Sequence, residues 1–527
     1  MDENTTESPP AAPVIGSAPA PVPTEPSAAQ VRIKEINASL DASIKDGAAF
    51  SVMAGLGDSY RAPFAIALGA SAAQVGLLTS IPQLFASLAQ PLAYKFNYAF
   101  ANRKKFVLDM VGLHALAWPL MLFVPLALSD FKVEALIALA SLYAVFGAIA
   151  NPAWSSWMAE LVPEEKRGWY FGKRNEILVG ALLASMIVGG VILGFFENAL
   201  FWGFGILFVT AFLARLVSRH YLSKMIEPLP LEARVPYVGP LDYFRRDRRH
   251  PMKTFTLFLL LTNFTVNLAA PFFVVYMLRD LGFDYFTFTF IISAGMIAKF
   301  LSNAYWGKLI DKYGNRLILR VTGILVAVVP LLWLFTPDYR ALALVEMFSG
   351  FAWAGFELAT FNYIISVNSL EKTANTVANH NFYNGLGIVA GAAIGSLLTV
   401  AFAGQQFFWM GGLLLVFLVS GLLRLLVAAY FLPRIRDNRL TFGVSEREFF
   451  WKAAAVYPTR GLVRELQMGW NLGVQGVRYS AGTLSGHARK SRETIKHLEK
   501  ELAELAHNER FETLSPKTPP KKAPPKA

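Results

Sequence analysis

Apolar residues recur in uninterrupted runs of about 20 along most of this 527-residue chain, and no other feature restricts the fold as much. A helix of roughly 20 apolar residues crosses a ~30 Å hydrocarbon core. Runs of that length, without the ~10-residue alternation of barrel strands, predict helical spans. The composition agrees, with 54% hydrophobic and only 16% charged residues. The expected fold class is therefore an all-α membrane protein of about twelve transmembrane helices. They are expected near 47–69, 75–96, 106–127, 133–157, 173–196, 200–222, 253–278, 286–305, 318–336, 341–366, 376–403 and 407–432.

The formal net charge of +12 would suggest nucleic acid as the partner of a soluble protein. Here the basic residues collect in alternate loops, which is an orientation signal. Arg103, Lys104, Lys105, Lys166, Arg167, Lys308, Lys312 and Arg316 fall on one side, against Lys132, Arg279 and Arg340 on the other. Both termini are expected in the cytoplasm of a multi-pass cell-membrane protein whose partner is the bilayer and not nucleic acid. The chain has no cysteine, which excludes disulfides, thiolate metal sites and a cysteine nucleophile. No His-Glu-x-x-His motif and no phosphate-binding Gly-Lys-Ser/Thr loop is present. Neither an enzyme nor a resident metal or cofactor is expected.

The chain divides on composition. Residues 1–46 form a Pro/Ala-rich cytoplasmic tail, expected to be disordered as far as about Ala28, and then an amphipathic stretch, Val31–Ile44, expected to lie along the membrane surface. A first group of six spans occupies 47–222, a basic, Pro-containing cytoplasmic loop 223–252, a second group 253–432, and a cytoplasmic tail 433–527. Within that tail, 449–472 suits an interfacial helix and 487–512 a charged helix. The two groups repeat one another. Ala62-Pro63-Phe64 recurs as Ala270-Pro271-Phe272, Asn102-Arg103 as Asn315-Arg316, and Glu165-Lys166 with Asn175 as Glu371-Lys372 with Asn381. Ordered matches across two sets of six argue for two repeated six-helix halves.

Between the eighth and ninth spans, Trp306–Arg320 reads as a tight basic loop at the membrane surface, because Asp311, Lys312 and Arg316 are costly in hydrocarbon and Gly307 and Gly314 permit a sharp turn. Its pattern Gly307-x-Leu-x-Asp311-x-x-Gly314-x-Arg316 resembles the signature loop of major facilitator superfamily transporters. Trp154–Pro163 and Arg167–Asn175 are similar to that family's loop between the fourth and fifth helices. The first-half loop departs from the pattern, with Tyr94, Tyr98 and Ala101 where Gly, Asp and Gly are expected. The resemblance covers about 47–432. It implies two six-helix halves that rock about a midplane site, and a gating loop in which Gly307, Asp311, Gly314 and Arg316 latch the cytoplasmic seam, with Arg316 beside Asp311.

Ionisable and amide groups at mid-bilayer mark candidate substrate or proton paths. They are Asp58 with Arg61 one turn on, Glu357 with Asn362, Asn263 and Asn267 on one face of the seventh span, and His380, Asn381 and Asn384 in the eleventh. Asp58 and Arg61 could instead neutralise each other as a structural pair. The asparagines could serve helix packing alone. His114 reads as a packing residue, and Lys299 and Arg424 as side chains that snorkel to the interface. The expected function is secondary active transport of a small solute by alternating access, with protons as the candidate coupling ion. A membrane scaffold or an intramembrane enzyme is the alternative. The sequence leaves substrate, direction and oligomeric state open.

Overall fold

The computed structural model describes residues 28–99, 103–128, 130–162, 167–227, 251–367 and 370–435. The expectations for residues 1–27, for most of the central loop and for the tail beyond Ile435 lie outside the described residues. The helices are α1 (Ala28–Leu56), α2 (Arg61–Ala67), α3 (Ala72–Ala99), α4 (Arg103–Ala127), α5 (Lys132–Leu161), α6 (Arg167–Phe195) and α7 (Leu200–Lys224), followed by α8 (Pro251–Asn267), α9 (Phe272–Val275), α10 (Tyr285–Tyr313), α11 (Asn315–Leu332), α12 (Tyr339–Val367), α13 (Leu370–Ala401) and α14 (Gly412–Phe431). Among the described residues eleven stretches are long and apolar enough to cross a membrane. The interrupted first span, α1 with α2, makes twelve.

The repeated Ala-Pro-Phe explains two interruptions. A proline cannot donate to the carbonyl four residues back, and its ring crowds that carbonyl. Those carbonyls belong to Ser59 and Asn267. The first span is broken by the 3-10 turn Asp58–Tyr60, and α8 ends at Asn267. The seventh span then continues through α9 and a π-helical turn, Tyr276–Asp280.

Helix packing repeats as the sequence does. In the first half α1 packs on α6 and α7, α5 on α3 and α4, and α4 on α7; in the second, α8 packs on α13 and α14, α12 on α10 and α11, and α11 on α14. The halves meet through α3 with α13 and α6 with α10. Without a hydrophobic drive between helices in lipid, close approach supplies the attraction. Gly387, Gly391 and Gly395 of α13 lie so near α8 that a Cβ on each would come within 2.4, 2.2 and 2.5 Å of the carbonyl oxygens of Leu260, Phe264 and Leu268. Outward faces are apolar in turn: Leu113, Leu116, Leu120 and Phe123 of α4 are all exposed, a stripe that suits lipid and not water.

Three expectations about element boundaries are corrected. The stretch Val31–Ile44 is not a separate surface helix, because α1 runs unbroken from Ala28 to Leu56 and buries Ser39, Ala42 and Ser43 while Ile33 stays exposed. The segment Trp306–Arg320 is not a loop. Helix α10 continues to Tyr313, Gly314 alone turns the chain at φ 82°, and α11 starts at Asn315. Trp306, expected at the surface, is fully buried and donates from Nε1 to the Phe351 carbonyl at 2.8 Å. The twelfth span begins at Gly412 and not near 407, because Gln406–Phe407 pairs with Met410–Gly411 in a small hairpin. The hairpin's Phe408 and Trp409 are exposed, as aromatic residues at a membrane interface are.

Candidate functional site

The polar groups of the first half converge where the first span is broken. Asp58 opens the 3-10 turn and Arg61 starts α2, which sets Arg61 Nη1 3.5 Å from Asp58 Oδ1. Tyr143 of α5 donates its hydroxyl to Asp58 Oδ2 at 2.9 Å and stands under the Arg61 guanidinium, 5.4 Å from ring centre to Cζ. Asp58 Oδ1 accepts no hydrogen bond and meets Arg61 only at ion-pair distance. This carboxylate is held by one cation and one phenol.

Tyr143 stacks on His114 with ring centroids 3.8 Å apart. Arg215 of α7 donates from Nε to His114 Nδ1 at 3.3 Å and from Nη1 to Ser218 Oγ at 2.9 Å, and Ser218 donates to Asp46 Oδ1 at 2.6 Å. Because His114 accepts at Nδ1, its neutral form carries the proton on Nε2. Arg174 of α6 lies 3.8 Å from Asp46 Oδ2, donates from Nε to the Ser43 carbonyl at 3.2 Å, and covers the Trp154 ring at 4.8 Å. His114 is thus part of a buried polar network and not a lone packing residue. Asp46, Tyr143 and Arg215 were missed by the sequence reading. Arg215 carried a usable signal, since an arginine inside the run Ala211–Leu216 is too costly there without partners.

In the second half, Asn263 Nδ2 lies 3.3 Å from Asn384 Oδ1, and Asn384 Nδ2 lies 2.8 Å from His380 Nε2. Three of the predicted residues therefore meet between α8 and α13. Asn267 instead donates to the Asn263 carbonyl of its own helix at 2.8 Å, Asn381 is exposed, and Asn362 is half-buried on α12. Glu357 is paired with Lys299 at 2.8 Å, and both side chains are substantially exposed, 53% and 39%. Lys299 is therefore an ion-pair partner, contrary to the snorkelling expected of it. Arg424 does not snorkel either. It is 5% exposed and donates to Ser420 Oγ and to the carbonyls of Val326 and Val266, each at 3.2 Å. Glu346, not singled out from the sequence, lies against Gly295 of α10.

The four residues expected to gate the cytoplasmic seam occupy a helix end, a turn and a helix start. Gly307 is helical within α10, Asp311 is exposed, Gly314 makes the turn, and Arg316 is half-buried with its Nε unpartnered. Among the described residues no ion pair joins Asp311 to Arg316, the side chain expected beside it. Further contacts that join the halves lie where α2 and α10 begin. Tyr60 and Thr289 share a hydrogen bond of 2.9 Å, Tyr60 also donates to the Met186 carbonyl at 2.5 Å, and the rings of Phe204 and Tyr285 meet edge-on at 5.7 Å.

The model of the Major Facilitator Superfamily matches residues 47–262 and again 254–470. The multidrug resistance protein MdtG of Salmonella paratyphi C (strain RKS4594) is 26% identical over 377 residues, covering 69% of this chain and 86% of MdtG. Among solved structures, the nucleoside transporter NupG superposes with a TM-score of 0.59 at 13% identity, over 76% of this chain and 100% of NupG. An inward-facing bacterial homologue of the iron transporter ferroportin superposes with a TM-score of 0.58 at 14% identity, over 77% of this chain and 99% of that one. At such identities these structures are alike in fold.

Proposed function

The chain belongs to the Major Facilitator Superfamily, and from that premise we propose that this secondary transporter couples an amphipathic solute to protons, with Asp58 as the proton carrier. Transport by alternating access moves a small molecule between two rocking halves across the bilayer. The observation that carries the proton assignment is the geometry of Asp58: an intramembrane carboxylate at a helix break, paired with Arg61 and bonded by Tyr143, with one oxygen that accepts no hydrogen bond. Asp58 and Arg61 are 33% and 24% exposed, so protonation of Asp58, which leaves Arg61 without its counter-ion, does not strand a fully buried charge. Asn263, Asn384 and His380 of the other half offer neutral donors and acceptors for a polar part of the solute, and the drug-resistance protein to which the chain is similar supports an amphipathic cargo.

The basic side of the bundle is read as cytoplasmic, with both termini there. The contacts at Tyr60–Thr289 and Phe204–Tyr285 then close the outer ends, and the conformation faces inward. The protein is read as a carrier and not an enzyme, since its intramembrane polar groups are apportioned between the halves as binding and counter-charge groups. The test is dye transport in everted membrane vesicles with an imposed proton gradient, using an amphipathic cationic dye. Gradient-driven accumulation is expected in the parent and is expected to be lost in Asp58→Asn, with dye-for-dye exchange retained. Gradient-driven accumulation that survives in Asp58→Asn would refute the assignment.

A further inference from the structure

A cavity of about 310 Å³ lies inside the first half, bounded by α1, α4, α5, α6 and α7, near the ends of those helices read as cytoplasmic. It does not lie between the halves, where transport is assigned. Its size is within the ~300–1,000 Å³ of small-molecule sites. One part of its wall is charged: Asp46, Arg174 and Arg215, with His114 beside them. The rest is apolar, with Phe50, Val111, Trp154 and Leu178 prominent. Phe50 and Asn151, both exposed, stand at its mouth.

Charge balance identifies what the cavity lacks. Two guanidinium groups face it and one carboxylate, Asp46, so one positive charge is left over. The neighbouring charges do not supply the difference. Asp58 and Arg61 form their own pair, and Asp41 and Lys45 are exposed on α1. A buried cation without a counter-charge is strongly unfavourable, and the missing partner is an anion. The guanidiniums also hold donors in reserve. Arg215 spends Nε on His114 and Nη1 on Ser218, and Arg174 spends Nε on the Ser43 carbonyl and sets Nη2 3.8 Å from Asp46 Oδ2, which leaves Arg215 Nη2 and Arg174 Nη1. Their remaining N–H groups match a carboxylate. Two glycines keep the wall clear: a Cβ at Gly47 would fall 2.6 Å from Arg174 Nη2, and one at Gly147 would fall 3.3 Å from His114 Nε2.

We infer that this cavity is a second small-molecule site, built to bind a monocarboxylate with an apolar or aromatic body, its carboxylate on Arg174 and Arg215 and its body against Phe50 and Trp154. A ligand there touches five of the six spans of one half, and it would stiffen that half without entering the path between the halves.

Benzoate is the probe, with benzyl alcohol and benzylamine as its neutral and cationic counterparts, titrated by calorimetry into the purified full-length protein in detergent. Benzoate is expected to bind at least ten-fold more tightly than either. Arg174→Gln is expected to lower benzoate affinity at least ten-fold, and Ala150→Leu, which fills the cavity without altering a charge, to lower it as much. Either variant that retains the parent's melting temperature suffices if the other fails to fold. Benzoate binding no tighter than benzyl alcohol, tighter binding of benzylamine, or unchanged benzoate affinity in the folded variants would overturn the proposal. Dye transport through the path between the halves is a separate readout, so failure here leaves that assignment standing.

Discussion

Each half buries an arginine on its sixth span, and the two are held by different chemistry. Arg215 is satisfied by side chains that include a histidine and, through Ser218, a carboxylate. Arg424 is satisfied by Ser420 and two backbone carbonyls, with no ionisable group among those partners. Both guanidiniums face the first and third spans of their own half, so the fold repeats the position and the sequence varies the partners. The ends that carry the basic residues differ in the same sense. Arg103 makes a two-pronged ion pair with Glu160, at 2.7 and 2.6 Å, and lies 3.6 Å from Glu227, whereas its counterpart Arg316 makes no ion pair among the described residues; the Nε of each lacks a hydrogen bond. A repeated fold therefore does not imply repeated electrostatics. The first half carries linked charges, and the second satisfies its arginine with dipoles.

The largest effect should come from Arg215. Arg215→Met leaves His114 Nδ1 without its donor and Ser218 with Asp46 alone, at ~1–3 kcal/mol for each buried group left unpaired. Arg424→Met removes no link to an ionisable group and should cost clearly less. Thermal unfolding in detergent at neutral pH compares them. Arg215→Lys, which keeps a charged donor at this position, should recover part of the loss. Equal deficits for the two arginines would break the comparison.

Next in size is the Arg103 end of the bundle. Arg103→Gln removes a charge-assisted, largely buried pair and should lower stability by ~1.5–3 kcal/mol, while Arg316→Gln should change it by less than ~1 kcal/mol. Melting temperatures of the two variants read the difference directly, and a larger loss at Arg316 would point to a partner for it in another conformation.

A smaller change is expected at the contact between the halves. Thr289→Val removes the hydrogen bond to Tyr60, worth ~1 kcal/mol, and should favour opening of the closed ends by roughly five-fold. The absence of native cysteine makes this accessible to labelling of a single Ser396→Cys, a buried position that faces Gly76 across the contact between the halves. No rise in labelling would show that packing, and not this bond, closes the ends.

Last comes the second-half pair. Lys299 and Glu357 are exposed enough that Glu357→Gln should alter stability by under ~1 kcal/mol. It should leave gradient-driven dye transport intact where Asp58→Asn abolishes it. Loss of transport in Glu357→Gln would move the coupling carboxylate to the second half.

What the sequence determined by itself is what depends on local composition. The length of apolar runs made the spans readable. The recurrence of Ala-Pro-Phe was read only as a repeat, although a proline acts on a carbonyl four residues away in its own helix and both helix breaks lie there. The family followed from the pattern Gly307 to Arg316 even though that segment is helix on either side of a single-residue turn, because the residues mark the site whatever their secondary structure. Boundaries failed where polar residues continue a helix beyond the bilayer, as they do from Trp306 to Tyr313. Only the tertiary structure decided which polar groups meet. Asp46 and Ser218 are 172 positions apart, His114 and Arg215 101, and nothing in either neighbourhood marks the other as its partner. Glu357 looked like a solitary intramembrane acid until α10 brought Lys299 to it. The desolvation cost of a charge can be read from one residue, but what offsets that cost lies on another helix, and its distance is fixed by packing.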